Sequence, residues 1–167
     1  MSAAHLHLML NHIPLLGLIF GAVLLAYGTW RGSGDVQKSS LGLLAVAGLS
    51  AIAVYLTGEP AEEIVEGLAG VSHDAIEAHE TWGWYALLAG IATGGVALGT
   101  LILGWVRGRL GRGAVMLTLA LALLSSGMIG YTANLGGKIS HPELRSAPSS
   151  AVGGDHVDTD ETDEHEE

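Results

Sequence analysis

Four long stretches without a single charged residue constrain this chain more than any other feature. They run over Ile13–Trp30, Leu41–Thr57, Trp82–Val106 and Ala114–Leu135. A hydrocarbon core roughly 30 Å thick needs about 20 helical residues at about 1.5 Å each, and these stretches are of that length. A helix on the surface of a soluble bundle carries polar residues along its exposed face, and these segments carry too few to supply one. The expectation is an all-α integral membrane protein: an up-down four-helix bundle with a short helical outer connection. Domain one is residues 1–145, and residues 146–167 form a separate acidic tail.

Charge sets the orientation. Arg31 and Lys38 fall in the first connection, and Arg107, Arg109 and Arg112 in the third, so five of the seven Lys and Arg share one face. The positive-inside rule makes that face cytoplasmic and puts both termini and the Gly58–Thr81 connection outside. A bacterial inner membrane is the expected location, with the lipid bilayer as first partner. Trp30, Trp82, Trp84 and Trp105 stand near span ends, where aromatic belts form. Residues 1–12 hold no Lys or Arg, which argues against a cleaved signal peptide. The net charge of −10 belongs mostly to the tail: eight of 17 acids lie in the last 13 residues, leaving nine against seven cations over residues 1–154. No basic patch suggests nucleic acid. With no cysteine, thiolate metal sites, Cys-held iron–sulfur clusters and thiol catalysis are excluded.

The glycine spacings Gly17-x-x-x-Gly21, Gly90-x-x-x-Gly94 and Gly95-x-x-x-Gly99 let helices approach closely. The tail, ending DHVDTDETDEHEE, is too polar to bury a core and reads as solvated and disordered, with His156 and His165 as weak chelators at most.

The polar chemistry gathers at the outer end. His5, His7, His12, His73, His79 and His141 all fall there, as do Glu59, Glu62, Glu63, Glu66, Asp74, Glu77, Glu80 and Glu143, whereas the inner side has only Asp35 among the acids. Intramembrane and interfacial ionisable residues mark functional sites because desolvating them is costly. If residues 5–12 are helical, His5 and His12 share a face about 10 Å apart, while His7 and His12 diverge by about 140°. No two histidines sit at i,i+4, so a shared ligand must be gripped by different helices. The candidate ligands are His7, His12, His79 and His141, with Asn11, Glu80, Lys138 and Arg145 as hydrogen-bond or ion-pair partners around them. The competing reading is a set of interfacial histidines bonded to carboxylates and headgroups. The outer connection is expected to form two short amphipathic helices broken at Gly67–Gly70, and Gly136-Gly137 to permit a stop in the last helix or a close chain approach. Di-iron bundles need Glu-x-x-His on two helices, a motif missing here, and no catalytic residue stands out.

The segments HLHLMLNHIPLLG, TGEPAEEIVE, IEAHE and YTANLGGKISHPE resemble the bacterial four-transmembrane-helix, histidine-containing membrane proteins of the unknown-function class found with Rieske or cytochrome partners. The resemblance spans roughly residues 5–145, and its recurring histidines correspond to His7, His12, His79 and His141. It implies a redox, haem-linked role. Three functional readings follow. The first is a b-type cytochrome-like electron-transfer subunit holding haem b at the outer end. In it His12 and His79 come from diagonal helices, His7 and His141 form a second site or support the first, and a quinol or periplasmic electron carrier serves as redox partner. The second is a non-haem site for a Cu, Zn or Fe ion on the same four histidines. The third is a cofactor-free structural subunit packed against other membrane subunits.

Overall fold

A computed structural model describes residues 2–67 and 71–140. The described chain is all helical: α1 Ala3–Leu10, α2 His12–Arg31, α3 Gly34–Leu56, α4 Gly58–Val65, α5 His73–Arg107 and α6 Arg112–Ser140. With α1 and α2 taken as one 29-residue helix, four helices are long and apolar enough to cross a membrane. Helices are what a bilayer permits, since lipid offers backbone N–H and C=O groups no partner outside the segment. This is a multi-pass membrane helical bundle. His141 and Arg145, Glu143 and the acidic tail from residue 146 lie outside the described residues.

Local chemistry sets the helix ends. Pro14 has no N–H to give the Leu10 carbonyl, and the first apolar helix turns at Asn11, between α1 and α2. Gly32 closes α2 in the left-handed region at φ 65°, and the Ser33 hydroxyl then accepts from Val36 N–H to open α3. Gly108, at φ 66°, closes α5 in the same way before α6.

Neighbouring helices run antiparallel. Gly17 lies against Ala47 and Gly28 against Val36, which sets α2 beside α3; Thr93 meets Ser125 and Thr100 meets Thr118, which sets α5 beside α6. α2 also packs on α6 and α3 on α5, so α2 and α5 face each other across the diagonal. The core is small: Leu18, Ala22, Leu25, Leu41, Leu44, Ala97 and Ala122 are buried. Small residues predominate because lipid gives helices no hydrophobic drive to associate, leaving close packing and interhelical hydrogen bonds to hold them. The Thr93–Ser125 bond, 2.8 Å between fully buried hydroxyls, is one such bond.

The glycine motifs divide. Gly17, Gly21, Gly90 and Gly94 all sit in helix contacts, whereas Gly95 and Gly99 have nothing within 4 Å of where a side chain would be. The tightest crossing joins α3 and α5, where a Cβ on Gly48 would lie 2.5 Å from the Gly90 carbonyl oxygen and 2.7 Å from the Gly94 nitrogen.

Two expectations for the outer loops change. The second short helix of the connection is not separate: from His73 the chain runs straight into α5 as one 35-residue helix. Likewise α6 continues through Gly136-Gly137 to Ser140, because two glycines weaken a helix without ending it. Aromatic side chains ring both ends: Tyr55, Trp82, Trp84, Tyr85 and Tyr131 at the histidine end, Tyr27, Trp30 and Trp105 at the arginine end, all exposed. On α5, Trp84 and Trp105 are separated by roughly 31 Å at about 1.5 Å per residue, the thickness of a hydrocarbon core.

Candidate functional site

Two of the candidate histidines meet. The rings of His7 on α1 and His79 on α5 have centroids 6.4 Å apart and planes at 81°. Both are half-buried. His79 lies five residues beyond Trp84, so the pair sits about 7 Å outside the aromatic ring at about 1.5 Å per residue.

Backbone carbonyls fix both imidazoles through the same nitrogen. His7 Nδ1 is 3.0 Å from the Val54 carbonyl oxygen and 3.1 Å from Thr57 Oγ1. His79 Nδ1 is 2.9 Å from the Thr132 carbonyl oxygen. A carbonyl only accepts, so each Nδ1 carries the proton and donates it. Thr57 Oγ1 donates its own proton to the Val54 carbonyl at 2.8 Å, which leaves its lone pairs for His7. In a neutral ring with Nδ1–H, Nε2 keeps its lone pair, the tautomer in which histidine ligates a metal while a carbonyl orients it.

The anchoring carbonyls come from α3 and α6, so all four long helices take part: α1 leads into α2, α3 holds His7, and α6 holds His79. Gly58 and Gly136 leave room for the rings. A Cβ on Gly136 would stand 3.0 Å from His79 Cε1, and one on Gly58 3.8 Å from His7 Cε1. These carbonyls and glycines are the parts that residue types do not announce; the only trace is that Gly58 and Gly136 each follow a span end at the histidine face.

The other candidates are placed differently. His12 is exposed, its Nδ1 donating to the Leu8 carbonyl of its own chain segment at 2.7 Å. The diagonal pairing expected of His12 with His79 is made by His7, which lies half-buried on α1 where α1 packs on α4, while His12 is exposed. Asn11 is half-buried and its N–H closes α1 on the His7 carbonyl. Lys138 is half-buried in the last turn of α6. His5 and His73 are exposed, and His73 pairs with Glu66 at 3.8 Å. Among the described residues no group of three or more His, Asp or Glu converges as a metal cage.

Glu80 makes a second feature. Its carboxyl bonds that of Glu62 on α4, and this bond, with burial and the nearby charges of Glu80 and Glu66, pushes Glu62 up to about 7, against a small opposing effect of His73. A carboxyl facing another carboxylate holds its own proton more tightly. A raised carboxyl stabilises the folded arrangement fully below its ordinary 4.5 and stops doing so as pH rises through about 7. Amide exchange in α4 should therefore speed up as pH climbs through that window, beyond the intrinsic change of exchange rate, and Glu62→Gln should flatten the excess. An α4 exchange profile with the same pH dependence in both proteins would show that this proton does not hold α4 down.

No family model matches the chain, and neither the curated proteins nor the solved structures contain a match.

Proposed function

We propose that this protein is a membrane electron-transfer subunit in which His7 and His79 would hold a haem b at the outer end of the bundle. The carrying observation is the centroid separation of 6.4 Å. With a metal–nitrogen bond of about 2.0–2.1 Å and about 1.2 Å from nitrogen to ring centre, two imidazoles on opposite sides of one metal have centroids about 6.4 Å apart, whereas two ligands of a tetrahedral ion have them about 5.2 Å apart. The spacing therefore favours opposed ligands over the tetrahedral arrangement of a zinc site. His7 and His79 would supply two imidazole nitrogens, the ligand type a b-type haem takes.

Haem bound there supplies a one-electron couple. The chain's residues supply the rest. The Val54 and Thr132 carbonyls hold the Nδ1 protons and set ring direction, which raises ligand basicity. The bundle shields one side of the site while its outer face stays near water, within reach of a quinol or periplasmic electron carrier. Five of the seven Lys and Arg at the opposite end favour that end as cytoplasmic, which puts both termini outside in a bacterial inner membrane. The resemblance to membrane proteins found with Rieske or cytochrome partners points the same way.

The cofactor-free reading has its own support, since aromatic rings also pack edge to face at centroid separations of roughly 4.5–7 Å. Spectroscopy of protein purified from haem-replete cells separates the two. The expected result is a Soret band and a pyridine haemochrome near one haem per chain. A colourless preparation holding a stoichiometric copper or iron ion would replace haem by a bare ion, and one holding neither would leave a packing role.

A further inference from the structure

We propose that the arginine end of the bundle carries a specific site for one anionic phospholipid, with Lys38 holding the phosphate. A cleft of about 420 Å³ opens there between α3, α5 and the turn into α6. Its walls are Leu101, Ile102, Trp105 and Leu110, and Lys38 is the one charged residue lining it among the described residues. Leu110 reaches the cleft because Gly104 has no side chain: a Cβ there would collide with Leu110, so the turn folds down against α5.

Polarity is graded along the cleft. Lys38 lies in the second turn of α3 and Leu110 in the turn before α6, both at the rim, while Leu101 lies a helical turn deeper than Trp105. A phospholipid at this face has the same order, with charge at the rim and acyl chain within. Trp105 is 87% exposed and Ile102 53%, so the cleft opens to the side from which a lipid would enter. The apolar wall from Leu101 to Trp105 is about one helical turn, too short to seat a transmembrane helix.

Charge selects the headgroup. Arg31, Lys38, Arg107, Arg109 and Arg112 lie at this end against the single acid Asp35. Asp35 does not neutralise Lys38: the two are 3.8 Å apart, with side chains 99% and 60% exposed. Such an exposed pair is weak, and the ammonium remains available to a phosphodiester. Basic pockets between helices at this kind of interface suit anionic headgroups.

The test uses the full chain in detergent, titrated with phosphatidylglycerol or with phosphatidylcholine of the same acyl chains and read by native mass spectrometry. One phosphatidylglycerol should be retained in preference to phosphatidylcholine. Lys38→Gln should weaken its retention at least fivefold, and Arg31→Gln, whose guanidinium stacks on Trp30 outside the cleft, less than twofold. Ile102→Trp should also weaken it with every charge in place. Thermal melts of each variant check that the bundle is intact. Equal retention of the two lipids overturns the site, and so does an equal loss in Lys38→Gln and Arg31→Gln, which would mean only diffuse attraction. A dimer that Ile102→Trp dissociates without altering lipid retention would give the cleft to a second copy of the chain instead.

Discussion

His79→Ala should leave the protein inserted and helical but strip it of haem, with retention falling at least tenfold. His79 would supply one of the two imidazole nitrogens of the proposed site, and its ring is fixed from α6 by the Thr132 carbonyl at 2.9 Å. His7→Ala should have the same effect from the other side. His12→Ala should have almost none, because His12 is exposed and its Nδ1 is taken up by the Leu8 carbonyl of its own chain segment. The measurement is haem per chain by pyridine haemochrome, together with circular dichroism to check the helices. The position of Gly136 supplies a gentler version. A methyl there would stand 3.0 Å from His79 Cε1, so Gly136→Ala should tilt the ring and shift the spectrum without removing the ligand. Haem retained in full by His79→Ala would exclude that residue as a ligand and, with it, the proposed centre.

A larger effect on stability is expected at the α3–α5 crossing. Gly48→Leu should destabilise the bundle by about 3 kcal/mol, the upper end of what overpacking costs, since the atoms it meets cannot move aside. A Cβ at position 48 would meet the Gly90 carbonyl oxygen at 2.5 Å and the Gly94 nitrogen at 2.7 Å. Both are backbone atoms of a long helix, so no rotamer change relieves the clash and the helices must separate. Gly95→Leu is the matched control. It enlarges a glycine in the same helix, yet nothing lies within 4 Å of its side-chain position, and its cost should stay within about 0.5 kcal/mol. Unfolding of both variants in detergent mixtures, followed by loss of helical signal, gives the comparison. Equal stability of the two would mean that the crossing is looser than its atoms indicate.

These two positions also mark where sequence reading stops. Gly90-x-x-x-Gly94 and Gly95-x-x-x-Gly99 are the same motif in the same span. One is the seat of the tightest helix contact and the other faces outward. One residue of rotation turns a helix face by about 100°, and nothing in an apolar segment with no polar face fixes that rotation. The histidines pose the same problem. His7 and His12 are five residues apart and point in divergent directions, so a choice between them depends on how α1 is set relative to α2.

The four spans, their all-helical character and the gathering of histidines at one end and arginines at the other follow from the order of residues alone. Lipid leaves the backbone no partners but its own, and charged groups do not enter the hydrocarbon, so composition along the chain dictates these features. Only the tertiary structure decided that His7 rather than His12 meets His79, that the Val54 and Thr132 carbonyls accept from their Nδ1–H groups, and that Glu62 on α4 faces Glu80 on α5. Each of these depends on backbone atoms or side chains from helices far apart in sequence, brought together by helix packing and by glycine contacts whose partners no local pattern specifies.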